Sequence, residues 1–137
     1  MPRVDACRRE ITELHAFFVD WYGAECDRGE FARMERAIGP GFEMVTPEGD
    51  VLDRTAVLEM VRDRYGSAVD ATFDIDIRNV EGVTASGECA VVRYEEWQTT
   101  GEGETGRVST ATFREAEAPA GVRWRHLHET LRETGAD

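Results

Sequence analysis

No lysine occurs in this chain: all 16 basic residues are arginine, set against 28 acidic ones for a net charge of −12. Without a side-chain amine there is no Schiff-base catalysis and no covalently held pyridoxal cofactor. A charge of this sign repels phosphate backbones and anionic lipids over a Debye length, so no nucleic acid and no membrane is expected as a partner. Cysteine is scarce as well. Cys7, Cys26 and Cys89 are odd in number, far apart and outside any paired motif, which points to free thiols in a reducing compartment rather than to disulfides or a zinc site. No apolar run approaches the roughly 20 residues of a membrane-crossing helix. The start, Met1-Pro2-Arg3-Val4-Asp5, lacks the apolar stretch of a signal peptide, so a cytoplasmic protein is expected. Also missing are a phosphate-binding glycine loop, a nucleophile elbow, a Cys-His pairing with local context and a dinucleotide fingerprint. Kinases, hydrolases of the usual design and nicotinamide enzymes drop out with them, and no cofactor is expected.

What is present fits a single domain over residues 1–137, long enough to bury roughly two-thirds of its unfolded surface. Val4, Cys7, Ile11, Leu14, Phe18, Trp21 and Tyr22 recur at three- and four-residue steps, which predicts one long amphipathic helix from about Val4 to Cys26. Asp27-Arg28-Gly29 breaks it. Glu30 to Ile38 reads as a second helix with Phe31, Met34 and Ile38 inward, stopped by Gly39-Pro40-Gly41. Phe42 to Thr46 reads as a strand, Pro47 to Asp50 as a turn and Val51-Leu52 as a brief return; Asp53 then caps a third helix to about Tyr65, ended by Gly66. Alternating strands follow at Phe73 to Arg78, Cys89 to Thr99, Arg107 to Glu115 and Gly121 to Leu131. Short turn-rich loops join them into an antiparallel meander. Helices first and a sheet afterwards make an α+β fold with the helices on one face of the sheet.

The last strand gathers two of the three histidines. At a side-chain period of two, Trp124, His126, His128 and Thr130 share one face, while Arg125, Leu127, Glu129 and Leu131 share the other. An indole, two imidazoles and a hydroxyl suit the wall of a partly wet cavity better than a dry core.

The order of elements, Gly49 after Thr46-Pro47, the run Tyr94-Glu95-Glu96-Trp97-Gln98, the run from Arg107 to Phe113 and the ending His126-Leu127-His128-Glu129-Thr130 together resemble the nuclear transport factor 2-like superfamily. More narrowly, the chain resembles the SnoaL-like and domain-of-unknown-function groups within it. The resemblance implies a cystatin-like cone: three N-terminal helices packed in the concave face of a strongly bent antiparallel sheet, around an internal pocket. The ketosteroid isomerases of this superfamily use a tyrosine on the first helix, an aspartate before a proline on the first strand and an aspartic acid on a later strand. Tyr22 matches the first, but Thr46 and Ser109 stand at the other two and neither does its counterpart's job, so that mechanism is not expected here.

Placed on this chain, the cone turns Trp124, His126, His128 and Thr130 inward. Pairing Phe113 with Trp124 then sets Ala111 beside His126, Ser109 beside His128 and Arg107 beside Thr130. For the preceding strand either Tyr94, Glu96 and Gln98 face the pocket, or Arg93, Glu95 and Trp97 do. The first is favoured because it leaves one carboxylate facing Arg107 with no second arginine beside it. Arg107, if inward, pairs with Glu96 or binds an anionic ligand; exposed at a hairpin end it does neither. Trp21 and Tyr22 are core aromatics or ligand contacts, and His15 is a helix residue with a partner at the helix-sheet interface. His126, His128 and Glu96 are the acid-base candidates; as a metal set they lack a third fixed ligand, and no metal is expected. The outward residues Val108, Thr110, Thr112, Leu127 and Leu131 want covering, which predicts a homodimer through the sheet, as the resemblance also implies. The functional expectation is a carbonyl or carboxylate ligand held by Tyr22, Trp21, Arg107, Ser109 and Trp124. Isomerase, cyclase or dehydratase chemistry would then run through His128, His126 or Glu96. The alternative is a non-catalytic dimeric assembly or regulatory module with a vestigial pocket.

Overall fold

A computed structural model describes residues 2–132. Helix α1 spans Pro2–Tyr22; a 3-10 turn at Arg28–Phe31 runs directly into the short helix α2, Ala32–Ala37. Strands β1 (Ile38–Val45) and β2 (Val51–Asp53) follow, then α3 (Arg54–Arg62) and the long strands β3 (Phe73–Ser86), β4 (Cys89–Thr100), β5 (Gly103–Glu115) and β6 (Val122–Arg132). Asp53 does cap α3, its Oδ1 accepting from the Ala56 N–H at 2.9 Å.

Gly39-Pro40-Gly41 differs from the sequence expectation: it belongs to β1 instead of ending a helix. It lies where the register between β1 and β6 shifts, between Ile38 and Glu43. A proline without an N–H and a glycine at φ +76° (Gly41) are both tolerated at such an irregularity. Helix α3 is also shorter than expected. Tyr65 lies beyond it in a turn, its hydroxyl donating to the Cys26 carbonyl at 2.7 Å.

The six strands form one sheet in the order β2-β1-β6-β5-β4-β3. Strands β3 to β6 make the expected antiparallel meander, but β1 joins β6 in parallel, so the sheet is mixed. Register shifts in β3 and between β5 and β6 bend it around α1, which packs on β3, β4 and β6, while α3 packs on β1. Ile11, Leu14, Trp21, Phe31, Phe113 and Trp124 are buried between helices and sheet.

One cross-strand pair fixes the outer sheet tightly. Trp97 on β4 lies opposite Gly106 on β5, and a Cβ added at Gly106 would come within 2.7–2.8 Å of three ring atoms. The ring cannot step aside freely, because the guanidinium groups of Arg78 and Arg132 lie 4.9 and 5.9 Å from its centroid. Gly106→Ala should therefore cost about 1–3 kcal/mol by overpacking, read as a melting temperature several degrees lower. An unchanged melting temperature would show that the indole is free to move.

Candidate functional site

The site's geometry turns on one extra residue. Phe113 pairs with Trp124 and Thr112 with His126, so Arg125 has no partner on β5 and forms a β-bulge. Beyond it the faces exchange. Ala111 meets Leu127, Ser109 meets Glu129 and Arg107 meets Leu131, each one residue away from the expected pairing. Trp124, Leu127 and Glu129 are buried on the helix side, whereas His128 is exposed and His126 half-buried on the other. The two histidines and Thr130 are thus corrected to the convex face, and Leu127 is corrected from the convex face to the cavity wall. On β4 the register resolves to Tyr94, Glu96 and Gln98 inside, with Glu96 opposite Arg107.

These strands and α1, together with β1, β3, α2 and α3, line a cavity of about 150 Å³. Its walls are mostly apolar, with Phe18 from α1, Phe42 from β1, Met60 from α3 and Leu127 from β6 among them; Trp124 also lines it. The polar groups are His15, Tyr22, Arg64, Glu96, Gln98, Arg107 and Glu129. His15, buried on α1, sets its Nδ1 2.7 Å from the Ile11 carbonyl and its Nε2 3.1 Å from Glu96 Oε1. The other carboxylate oxygen of Glu96 accepts from Gln98 at 2.7 Å. Burial alone would raise the Glu96 carboxyl, but the charge and hydrogen bond of His15, with Gln98 and Arg107 behind them, bring its pKa down to about 2. Since the Ile11 carbonyl and an ionised Glu96 can only accept, both ring nitrogens carry hydrogen and His15 is an imidazolium. Burial opposes that charge; Glu96, the Ile11 carbonyl and the more distant Glu129 outweigh it and hold the ring's pKa above the ordinary imidazole value.

A second pair stands beside the first. Arg107 Nη1 donates to Glu129 Oε1 at 3.0 Å. Burial and then the neighbouring Glu96 charge push the Glu129 carboxyl above the usual range, and Arg107 offsets this only in part. Burial likewise raises Tyr22 against the opposing charge and hydrogen bond of Arg64, which leaves a neutral phenol able to donate. Trp21 and Ser109 lie elsewhere. Trp21 is in the core with its Nε1 on the Val61 carbonyl at 2.8 Å, and Ser109 is buried next to Tyr94; neither lines the cavity.

The sequence model described as sucrose-6-phosphate phosphohydrolase C-terminal matches residues 7–133 of this chain. The chain belongs to that family. Among solved structures, an NTF-2 like protein of unknown function from Pseudomonas aeruginosa is similar at 30% identity and a TM-score of 0.83, over 93% of this chain and 99% of that one. An uncharacterized protein with a cystatin-like fold from Caulobacter vibrioides is similar at 18% identity and a TM-score of 0.68, covering 96% and 91% of the two chains. The CaMKII hub of S. rosetta follows at 14% identity and 0.67, covering 90% and 95%; these last two show the fold alone. No curated protein matches the chain. The nuclear transport factor 2-like superfamily and the cystatin-like fold expected from the sequence therefore hold.

The polar end of the cavity is two adjacent ion pairs, not a histidine pair. Sequence reasoning misses two members of it, Glu129 and Arg64, and gives the third, His15, only as a helix residue with a partner at the helix-sheet interface, which is Glu96. His15 lies on the same helix face as Phe18 and Tyr22, at i+3 and i+7, which signals an inward side chain but not a charged one. Glu129 is hidden by the bulge. Arg64 sits at the cavity mouth in the turn after α3, where no periodicity gives its direction. No helix of the described residues is long and apolar enough to cross a membrane.

Proposed function

We propose that this domain binds a small organic compound bearing a carboxylate or carbonyl group. Its polar end would lie at Arg107 and Tyr22, and its apolar part against Phe18, Phe42 and Leu127. The reading is carried by the cavity itself: mostly apolar walls converging on a few hydrogen-bonding groups are what a small-ligand site needs. Size narrows the class. A cavity near 150 Å³ suits a guest of about benzene's size. An acid-base step on such a ligand would fall to Glu129, whose raised pKa suits proton exchange. His126 and His128 face away, and Glu96 is held ionised by His15.

The test is a thermal-shift screen of wild type, Arg107→Ala and His128→Gln against short carboxylic acids, aldehydes and ketones. A ligand at a hundred times its dissociation constant adds about 2.7 kcal/mol, a shift of several degrees for a domain of this length. Wild type and His128→Gln should respond alike and Arg107→Ala not at all. No response from any compound, or an equal response from Arg107→Ala, removes this reading.

A second reading, assembly through the convex face of the sheet, is supported by Val91, Val108 and Trp97 lying on the side opposite the helices. The hub and association-domain names of two structural neighbours point the same way. Sedimentation at twice 15.4 kDa supports it, and a monomer at micromolar concentration overturns it.

A further inference from the structure

The polar end of the cavity is electrically balanced before anything enters it. His15 neutralises Glu96, and Arg107 neutralises Glu129. The charged and titratable groups around Glu129 come from three directions: His15 and Tyr22 on α1, Glu96 and Tyr94 on β4, and Arg107 on β5, with Arg64 farther out at the mouth. On the cavity side β1 adds only Ile38, Phe42 and Met44. A carboxylate arriving at Arg107 would share that guanidinium with Glu129 and sit close to Glu96. Three negative charges around one arginine and one imidazolium is a repulsive arrangement, and in a buried site one of the carboxylates takes a proton instead.

Resting on the ligand-binding reading above, we propose that the cavity takes up a small organic monoanion together with one proton, the anion seated on Arg107 and the proton held on Glu129. The balance is simple. Ionised Glu129, one anion and one proton become neutral Glu129 beside the bound anion, and the net charge of the site does not change. Glu129 turns from an acceptor toward Arg107 into an O–H donor toward the ligand oxygen, a charge-assisted hydrogen bond that strengthens the complex. The neighbouring groups are poorly placed to supply this exchange. His15 already carries its proton, Glu96 is tied to His15 and Gln98, and Tyr22 and Tyr94 are neutral phenols. Burial and the Glu96 charge hold the Glu129 carboxyl above its usual range, which lowers the cost of taking up that proton when the anion arrives.

Benzoate and isobutyrate are the probes, ionised throughout and of a size for the cavity. Calorimetric titration of the full chain from about pH 6 to 8.5, in two buffers of different ionisation enthalpy, counts the protons directly and needs no variant. The expected result is uptake of one proton per anion above the pKa of Glu129, with a dissociation constant rising about tenfold per pH unit there. Glu129→Gln, a permanent donor, should bind with no pH slope and no proton uptake, and Arg107→Ala should not bind at all. Binding by wild type without proton uptake overturns the coupling and leaves the ligand reading standing. A slope that persists in Glu129→Gln moves the proton to another group and overturns it too. Failure of both anions to bind wild type at every pH removes the coupling and the carboxylate reading together.

Discussion

Glu96→Gln should reverse the sign of the domain's pH dependence between about pH 5 and 7. In the wild type the Glu96 carboxyl titrates at about 2 in the folded state against 4.5 unfolded. It thus contributes stability above pH 4.5 that is lost as the pH falls toward 2. His15 is raised above its unfolded 6.5, so its contribution is complete below pH 6.5 and is lost as the pH rises through the folded value. The pair stabilises most between those limits, by an amount on the order of 3 kcal/mol. With glutamine at 96 the buried imidazole keeps its hydrogen bond to Ile11 but loses its counter-charge, and burial then pushes its pKa below 6.5. Stability of the variant falls as the pH drops, where that of the wild type does not. Thermal unfolding across this range should show the variant lower by roughly 10 °C near pH 5.5, with the gap narrowing as the pH rises through the folded value of His15. Taking the difference from wild type removes the parallel contribution of Glu10, whose carboxyl burial pushes up; Glu129, freed of the Glu96 charge, is raised less in the variant, which adds to the difference in the same direction. A difference independent of pH would mean that His15 is not charged in the folded protein.

The contrast between Glu96 and the two C-terminal histidines shows how far a sequence carries. The elements are legible because their apolar positions keep time: Cys7, Ile11 and Leu14 at helical steps, and Ala90, Val92 and Tyr94 at the strand period, are all buried. Glu96 follows from the same alternation, since β4 runs its length against β5 without a register shift. β6 does not allow that inference. Arg125 inserts one residue against β5, and from there every assignment of face is inverted. A bulge formed by arginine between tryptophan and histidine leaves no mark in composition. Leu127 is the one hint, because an aliphatic residue between two histidines sits better inside than out. Arg107 is unaffected by the slip and lines the cavity as one of its alternatives held, although its partner is Glu129 and not Glu96. The parallel pairing of β1 with β6 is equally hidden: it joins residues more than 80 positions apart, and no local pattern specifies it.

Glu10→Met should be among the most destabilising single changes in the domain, although the residue lies outside the cavity. Glu10 is fully buried on α1. Its carboxylate accepts from Arg33 Nη2 at 2.8 Å and Nη1 at 3.3 Å, and from the Trp124 indole at 2.9 Å, so one side chain ties α1 to α2 and β6. Methionine fills the space but leaves the guanidinium and the indole N–H without their acceptor. Breaking a buried pair in this way costs about 3–5 kcal/mol. Arg33 retains some exposure and has Glu13 at 3.3 Å to turn to, which places the expected loss near the lower figure. Removing the arginine as well should recover part of it: in Glu10→Met/Arg33→Met no charge is stranded, and apolar replacement of a whole buried pair is often close to neutral. Denaturant unfolding of the two single variants and the double one reads the coupling directly. The expected double variant is more stable than Glu10→Met alone. Additive losses would instead assign the effect of Glu10 to the Trp124 hydrogen bond, and the same variants would then weaken ligand binding through the indole that lines the cavity.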